Sequence, residues 1–165
     1  MPRILAAVGA ALLLAACSTS VKETLPLGGG PLPASAGPVQ VRTVTGRATA
    51  RVPQNLVPQL SRAIQLQLAA APGGGAPADL QFDVLEYRER SAQARAIAGV
   101  FMGGDRIRVV VTLRDPAGAT LRTFEVDRKS NPGGFGALID QQQALTDAVA
   151  KQIAVSLGVA GQGRR

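Results

Sequence analysis

The one cysteine of the chain, Cys17, stands where the apolar run from Ile4 to Ala16 gives way to Ser18, Thr19 and Ser20. A thiol is the side chain best suited to alkylation. Alone it forms no internal disulfide, and with no histidine in the chain it lacks the common partner for a soft metal site. The missing histidine also removes the usual base of a hydrolytic triad. Two carboxylates could in principle pair for glycoside chemistry, Glu125 and Asp127. They alternate along a strand-like run among basic neighbours, so they read as surface charges. Asp79, Asp105 and Asp140 each fall at the start of an expected element, where capping or turn formation employs a carboxylate. The residue types therefore imply no enzyme, no metal and no cofactor, and leave the Cys17 thiol as the reactive group.

Arg3 and the thirteen uncharged residues 4–16 precede that thiol. Such a run is too short to cross a bilayer as a helix, which needs roughly 20 apolar residues. A charged start, an apolar middle and small residues at a cut have the layout of a secretory signal over residues 1–16. Leu14-Ala15-Ala16-Cys17 resembles a bacterial lipobox. The resemblance implies cleavage before Cys17, a diacylglycerol on its sulfur and a further acyl chain such as palmitate on the new amino terminus, which together make a durable membrane anchor. Two plainer readings stand beside it: an incidental cysteine at the end of an ordinary signal, or a buried helix over residues 4–16. By resemblance to enterobacterial sorting, Ser18 rather than Asp after the cysteine implies the bacterial outer membrane, with the domain facing the periplasm.

Residues 17–38, "CSTSVKETLPLGGGPLPASAGP", are rich in Gly, Pro, Ser and Thr and show no apolar periodicity. This composition predicts a flexible tether after the lipidated cysteine. Residues 39–158 then supply one domain, and residues 159–165 a disordered tail. Aromatic residues make up only 3% of the chain and there is no Trp, so the core must be aliphatic. The formal charge is +7, or +6 once the leader with Arg3 is gone. A basic balance suits anionic envelope surfaces, although most such cations are plain solvated surface. Nucleic acid is not expected as a partner, because no basic run is interleaved with aromatic residues to stack bases.

Within the domain, "VQVRTV" at 39–44 alternates as a first strand. Leu56, Leu60, Ile64 and Leu68 recur at four-residue spacing, a helical stripe with Pro58 in its first turn and Asn55 as N-cap. Leu80, Phe82 and Val84 form one strand phase and Leu85 and Tyr87 the other, which predicts a bulge near Val84. "DRIRVVVTLRD" at 105–115 is the clearest strand, with Ile107, Val109, Val111 and Leu113 inward and Arg106, Arg108, Thr112 and Arg114 outward. The turn "DPAG" closes a hairpin onto a strand with Leu121, Phe124 and Val126. Leu138, Leu145, Val149, Ile153 and Leu157 mark a second helix, with Gly158 as its cap. The order β-α-β-β-β-α predicts an α+β fold, a mixed, mostly antiparallel four-stranded sheet with two helices packed on one face.

Two segments set a Phe among glycines, "AIAGVFMGG" with Phe101 and Met102, and "GGFG" with Phe135. They either bend into the domain's own core or form an apolar contact for a partner or a second copy. The run "ADLQFDVLEYRERSAQARAIAGVFMGGDRIRVVVTLRDPAGATL" with "GGFGALIDQQQALTDAVAKQIA" resembles small α/β bacterial envelope lipoproteins of uncharacterised function. It is more distantly similar to periplasmic modules of the curli secretion lipoprotein, the penicillin-binding-protein activator lipoproteins and the TolB amino-terminal domain. The lipopolysaccharide-assembly lipoprotein is a second similar group, but its segment after the lipidated cysteine is replaced here by the tether-like stretch. The resemblance implies an envelope location and a binding or assembly role with an envelope protein or as a homo-oligomer. An alternative is an anionic envelope component such as lipopolysaccharide, held by the outward Arg106, Arg108 and Arg114.

Overall fold

In the computed structural model, which describes residues 18–23, 39–69, 75–89, 104–130 and 140–158, the alternating and helical runs become elements in the expected order. They are β1 (Ser18–Glu23), β2 (Gln40–Ala48), α1 (Leu56–Ala69), β3 (Pro77–Arg88), β4 (Asp105–Arg114), β5 (Thr120–Ser130) and α2 (Gln141–Ser156). The strands form one sheet in the order β1-β5-β4-β3-β2. β2 and β3 are parallel, and the other neighbours are antiparallel. Strands β2 to β5 with the two helices are the α+β arrangement read from the sequence.

β1 corrects that reading. Ser18–Glu23, assigned above to a flexible tether, pairs antiparallel with β5 from Ser18↔Lys129 to Glu23↔Phe124. β5 would otherwise present a row of unpaired backbone N–H and C=O groups, and a strand can satisfy them whatever its side chains. β1 and β2 lie at opposite edges. Four strand spacings of about 4.8 Å separate those edges, roughly 19 Å. The Gly- and Pro-rich chain after Glu23 therefore links two edges of one sheet, and the residue next to Cys17 already belongs to the domain.

One face of the sheet buries Ala78, Leu80, Phe82 and Val84 of β3, Ile107, Val109, Val111 and Leu113 of β4, and Phe124 and Val126 of β5. α1 packs on α2 and over β2, while α2 lies over β4 and β5. Leu56, Leu60 and Ile64 of α1 and Leu145, Val149 and Ile153 of α2 close this core. Full burial of a large apolar side chain is worth about 1.5–3 kcal/mol, so period-two and period-four patterning suffices to choose the face. Gly46 in β2 lies opposite Phe82, and an added Cβ there would run into the Phe82 ring. The missing side chain is what lets the ring lie under the edge strand.

Local signals set the ends. The Asn55 carbonyl accepts from the Gln59 N–H at 3.0 Å, and Asp140 caps α2 by accepting from the Gln143 N–H at 3.1 Å. Leu157 and Gly158 follow α2, with Gly158 at φ 74°. The β4–β5 turn closes with the Gly118 N–H donating to the Asp115 carbonyl at 2.9 Å and Gly118 at φ 89°. The phase change in β3 is a register shift between Val84 and Glu86.

Candidate functional site

Alternation that sends aliphatic residues toward the helices sends charge to the sheet's outer face. Arg106 donates to Asp127 from Nε at 2.9 Å and from Nη2 at 2.6 Å. Its Nη1 lies 3.2 Å from Glu86 Oε2. Arg108 Nε lies 3.6 Å from Glu86 and 3.8 Å from Glu125. Arg114 is exposed and donates to the Gly118 carbonyl at 3.1 Å. The three arginines share a face, but two of them are held by carboxylates. Glu125 and Asp127 are thus surface ion-pair partners, as their alternation among basic residues implied.

These pairs move proton affinity in the expected senses. The two hydrogen bonds from Arg106 hold the Asp127 carboxyl below its ordinary value of 3.8, and the same contact raises the Arg106 guanidinium. At the sheet's β2 edge, Asp79 accepts from the Thr43 hydroxyl at 2.7 Å and from Arg42 at 3.0 Å. The Thr43 hydrogen bond is the main cause that lowers the Asp79 carboxyl, with Arg42 adding to it. Arg47 pairs with Asp83 at 3.0 Å. On the helix-facing side, Arg122 lies 5.1 Å over the Phe124 ring and donates to the Ser156 carbonyl at the end of α2, while burial lowers its proton affinity. Asp105 is buried at the start of β4. Burial, then the Glu89 carboxylate that accepts the phenol's hydrogen bond at 2.6 Å, pushes the nearby Tyr87 up.

Sequence reasoning found the outward arginines but missed Glu86 as the bridge between two of them, because only the cross-strand register sets Glu86 beside Arg108 and within reach of Arg106. It also missed how the strands align. The pairs Ser18↔Lys129, Lys129↔Arg106 and Arg106↔Arg88 place three cations side by side in the row that begins at Ser18. The next row reads Asp127, Arg108, Glu86. Alternation alone could have marked Arg88 and Lys129 as outward, but only the register brings them together. Cys17, Phe101, Met102 and Phe135 lie outside the described residues. The strand ends on either side of the two Phe segments, Arg88 with Asp105 and Ser130, lie at the same end of the sheet as Ser18. Among the described residues, no three acidic, Cys or His side chains gather to hold a metal ion.

Fold and face together define a small α+β module, a sheet backed by two helices on one side and laced by ion pairs on the other. No protein-family model matches the chain, and no curated protein matches it. Among solved structures it is similar to PelC from Paraburkholderia phytofirmans, a dodecamer seen in two crystal forms. One, a leucine-to-methionine variant, is 17% identical with a TM-score of 0.55 over 87% of this chain and 100% of that chain. The other is 17% identical with a TM-score of 0.54 over 88% and 100%. A minor lipoprotein from Acinetobacter baumannii is 18% identical with a TM-score of 0.34 over 70% and 93%. At this identity the PelC likeness is one of fold.

Proposed function

We propose that this chain is a lipid-anchored, non-enzymatic binding or assembly module of a bacterial cell envelope, held at the outer membrane by Cys17 and facing the periplasm. The observation that carries the reading is the single thiol after an apolar leader in Leu14-Ala15-Ala16-Cys17. The absence of histidine from the sequence supports a role without catalysis. The fold shared with PelC, itself a dodecamer, supports assembly into a homo-oligomer or with an envelope protein. The ion pairs of Arg106 and Arg108 favour this over capture of an anionic envelope component by the arginine face, since those guanidiniums already have carboxylates.

Growth with radioactive palmitate tests the anchor: the wild-type chain is labelled and Cys17→Ser is not. Label on Cys17→Ser, or none on wild type, overturns the reading. Crosslinking in intact cells then separates the partner versions, with a ladder of multiples of the chain's own mass for a homo-oligomer and a mixed product for an envelope protein. Binding that weakens steeply with salt would return the arginine face to favour.

A further inference from the structure

Resting on the anchor just proposed, we infer that the sheet end at Ser18 is a bilayer-contact surface, where the exposed Lys129 and Arg88, on either side of the carboxylate-paired Arg106, meet the anionic headgroups of the membrane that holds the acyl chains. The first observation is distance. Consecutive Cα atoms are about 3.8 Å apart, and Ser18 is already paired with Lys129 in the sheet. A lipid on Cys17 therefore has no spacer between itself and the domain, and this end lies at the headgroup layer.

The second observation is charge order. Like charges directly opposite on neighbouring strands are destabilising, yet the terminal row sets Lys129, Arg106 and Arg88 next to one another. Arg106 turns its charge inward to Asp127 and Glu86 in the row behind. Lys129 and Arg88 are exposed in the last cationic row of the described residues at this end. Among the described residues the row itself holds no carboxylate, Asp127 of the row behind faces both Arg106 and Lys129, and anionic headgroups relieve the crowding that is left. The direction of the strands agrees: β2, β3 and β5 end here, so both helices begin at this end, where their N-terminal dipole ends favour negative charge. The Gln142 amide of α2 donates to the Gln59 side chain of α1 at 2.6 Å, which places the first turns of the two helices side by side.

The lipidated chain permits a direct test, because its native thiol is consumed and an introduced cysteine becomes the sole reactive one. Ser130→Cys at this end and Ala117→Cys at the β4–β5 turn are each labelled with a fluorophore. The proteins are reconstituted into phosphatidylcholine vesicles, with and without phosphatidylglycerol, that carry a headgroup quencher. The expected result is quenching about twofold or more stronger at position 130 than at 117, larger with phosphatidylglycerol and reduced by salt or by Lys129→Glu with Arg88→Glu. Circular dichroism confirms that the exposed charge reversals leave the fold intact. Equal quenching at the two positions in palmitate-labelled protein, or a difference indifferent to charge reversal, overturns the headgroup contact and leaves the anchor standing. Failure of palmitate to label Cys17 overturns both.

Discussion

β4 is one strand with two solvents. Toward the helices it presents Ile107, Val109, Val111 and Leu113, all fully buried; away from them it presents Arg106, Arg108, Val110, Thr112 and Arg114, all with some exposure. The buried row works by volume and apolar area, so each residue's part follows from its own type. The outer row works by neighbours: Arg106 means one thing beside Asp127 and another beside Lys129, and only cross-strand alignment says which. One face is therefore tolerant of chemistry-preserving repacking and intolerant of voids, while the other is tolerant of shape and sensitive to charge order.

The sharpest way to break this contrast is Phe82→Ala, which leaves a cavity under β2 and should cost about 3–5 kcal/mol in urea denaturation. A loss under about 1 kcal/mol would mean that the helix-facing side is not packed as described. Gly46→Ala comes next, at about 1–3 kcal/mol, because the new methyl meets the Phe82 ring. Combined with Phe82→Leu it should cost less than the two changes added, and a double-mutant cycle reads the coupling. On the outer face, Asp127→Asn should cost only about 1 kcal/mol near neutral pH.

That last loss carries a pH signature. Asp127 is held below 3.8 in the folded chain, so the unfolded state binds its proton more readily, and the pairing contributes fully above the unfolded value. The contribution disappears as pH falls through the lower folded value, so wild type and Asp127→Asn should converge in stability in strong acid and separate above about pH 4. A gap that persists unchanged in strong acid would assign the effect to shape instead of charge. The smallest expected change is Thr112→Val, in the uncharged row with Thr123 and Gln81, at within about 0.5 kcal/mol by thermal denaturation.

The division between the faces also decides how much was legible in advance. Leu56, Leu60 and Ile64 announce a helix by spacing, and the phase reversal after Val84 announces a bulge, because burial imposes period on residue type. Ser18–Glu23 announces little: Val21 is the only apolar residue of the six, and an edge strand is selected by backbone pairing more than by side-chain burial. The ion pairs of Glu86 were hidden for a related reason, since they depend on the cross-strand register that sets Glu86 opposite Arg108. Asp140 as a cap was readable from position alone; the burial of Asp105 was not, since it depends on what the fold places around the start of β4.

The pairing of β1 with β5 joins Val21 to Val126, partners separated by more than a hundred positions along the chain. Closing so long a loop costs entropy that only already-assembled structure can offset. The hairpins β3–β4 and β4–β5 join near neighbours and need no such prior assembly. Of the described strands, the first in sequence should thus be the last to find its place, and its amides should be the first of the sheet to exchange with deuterium.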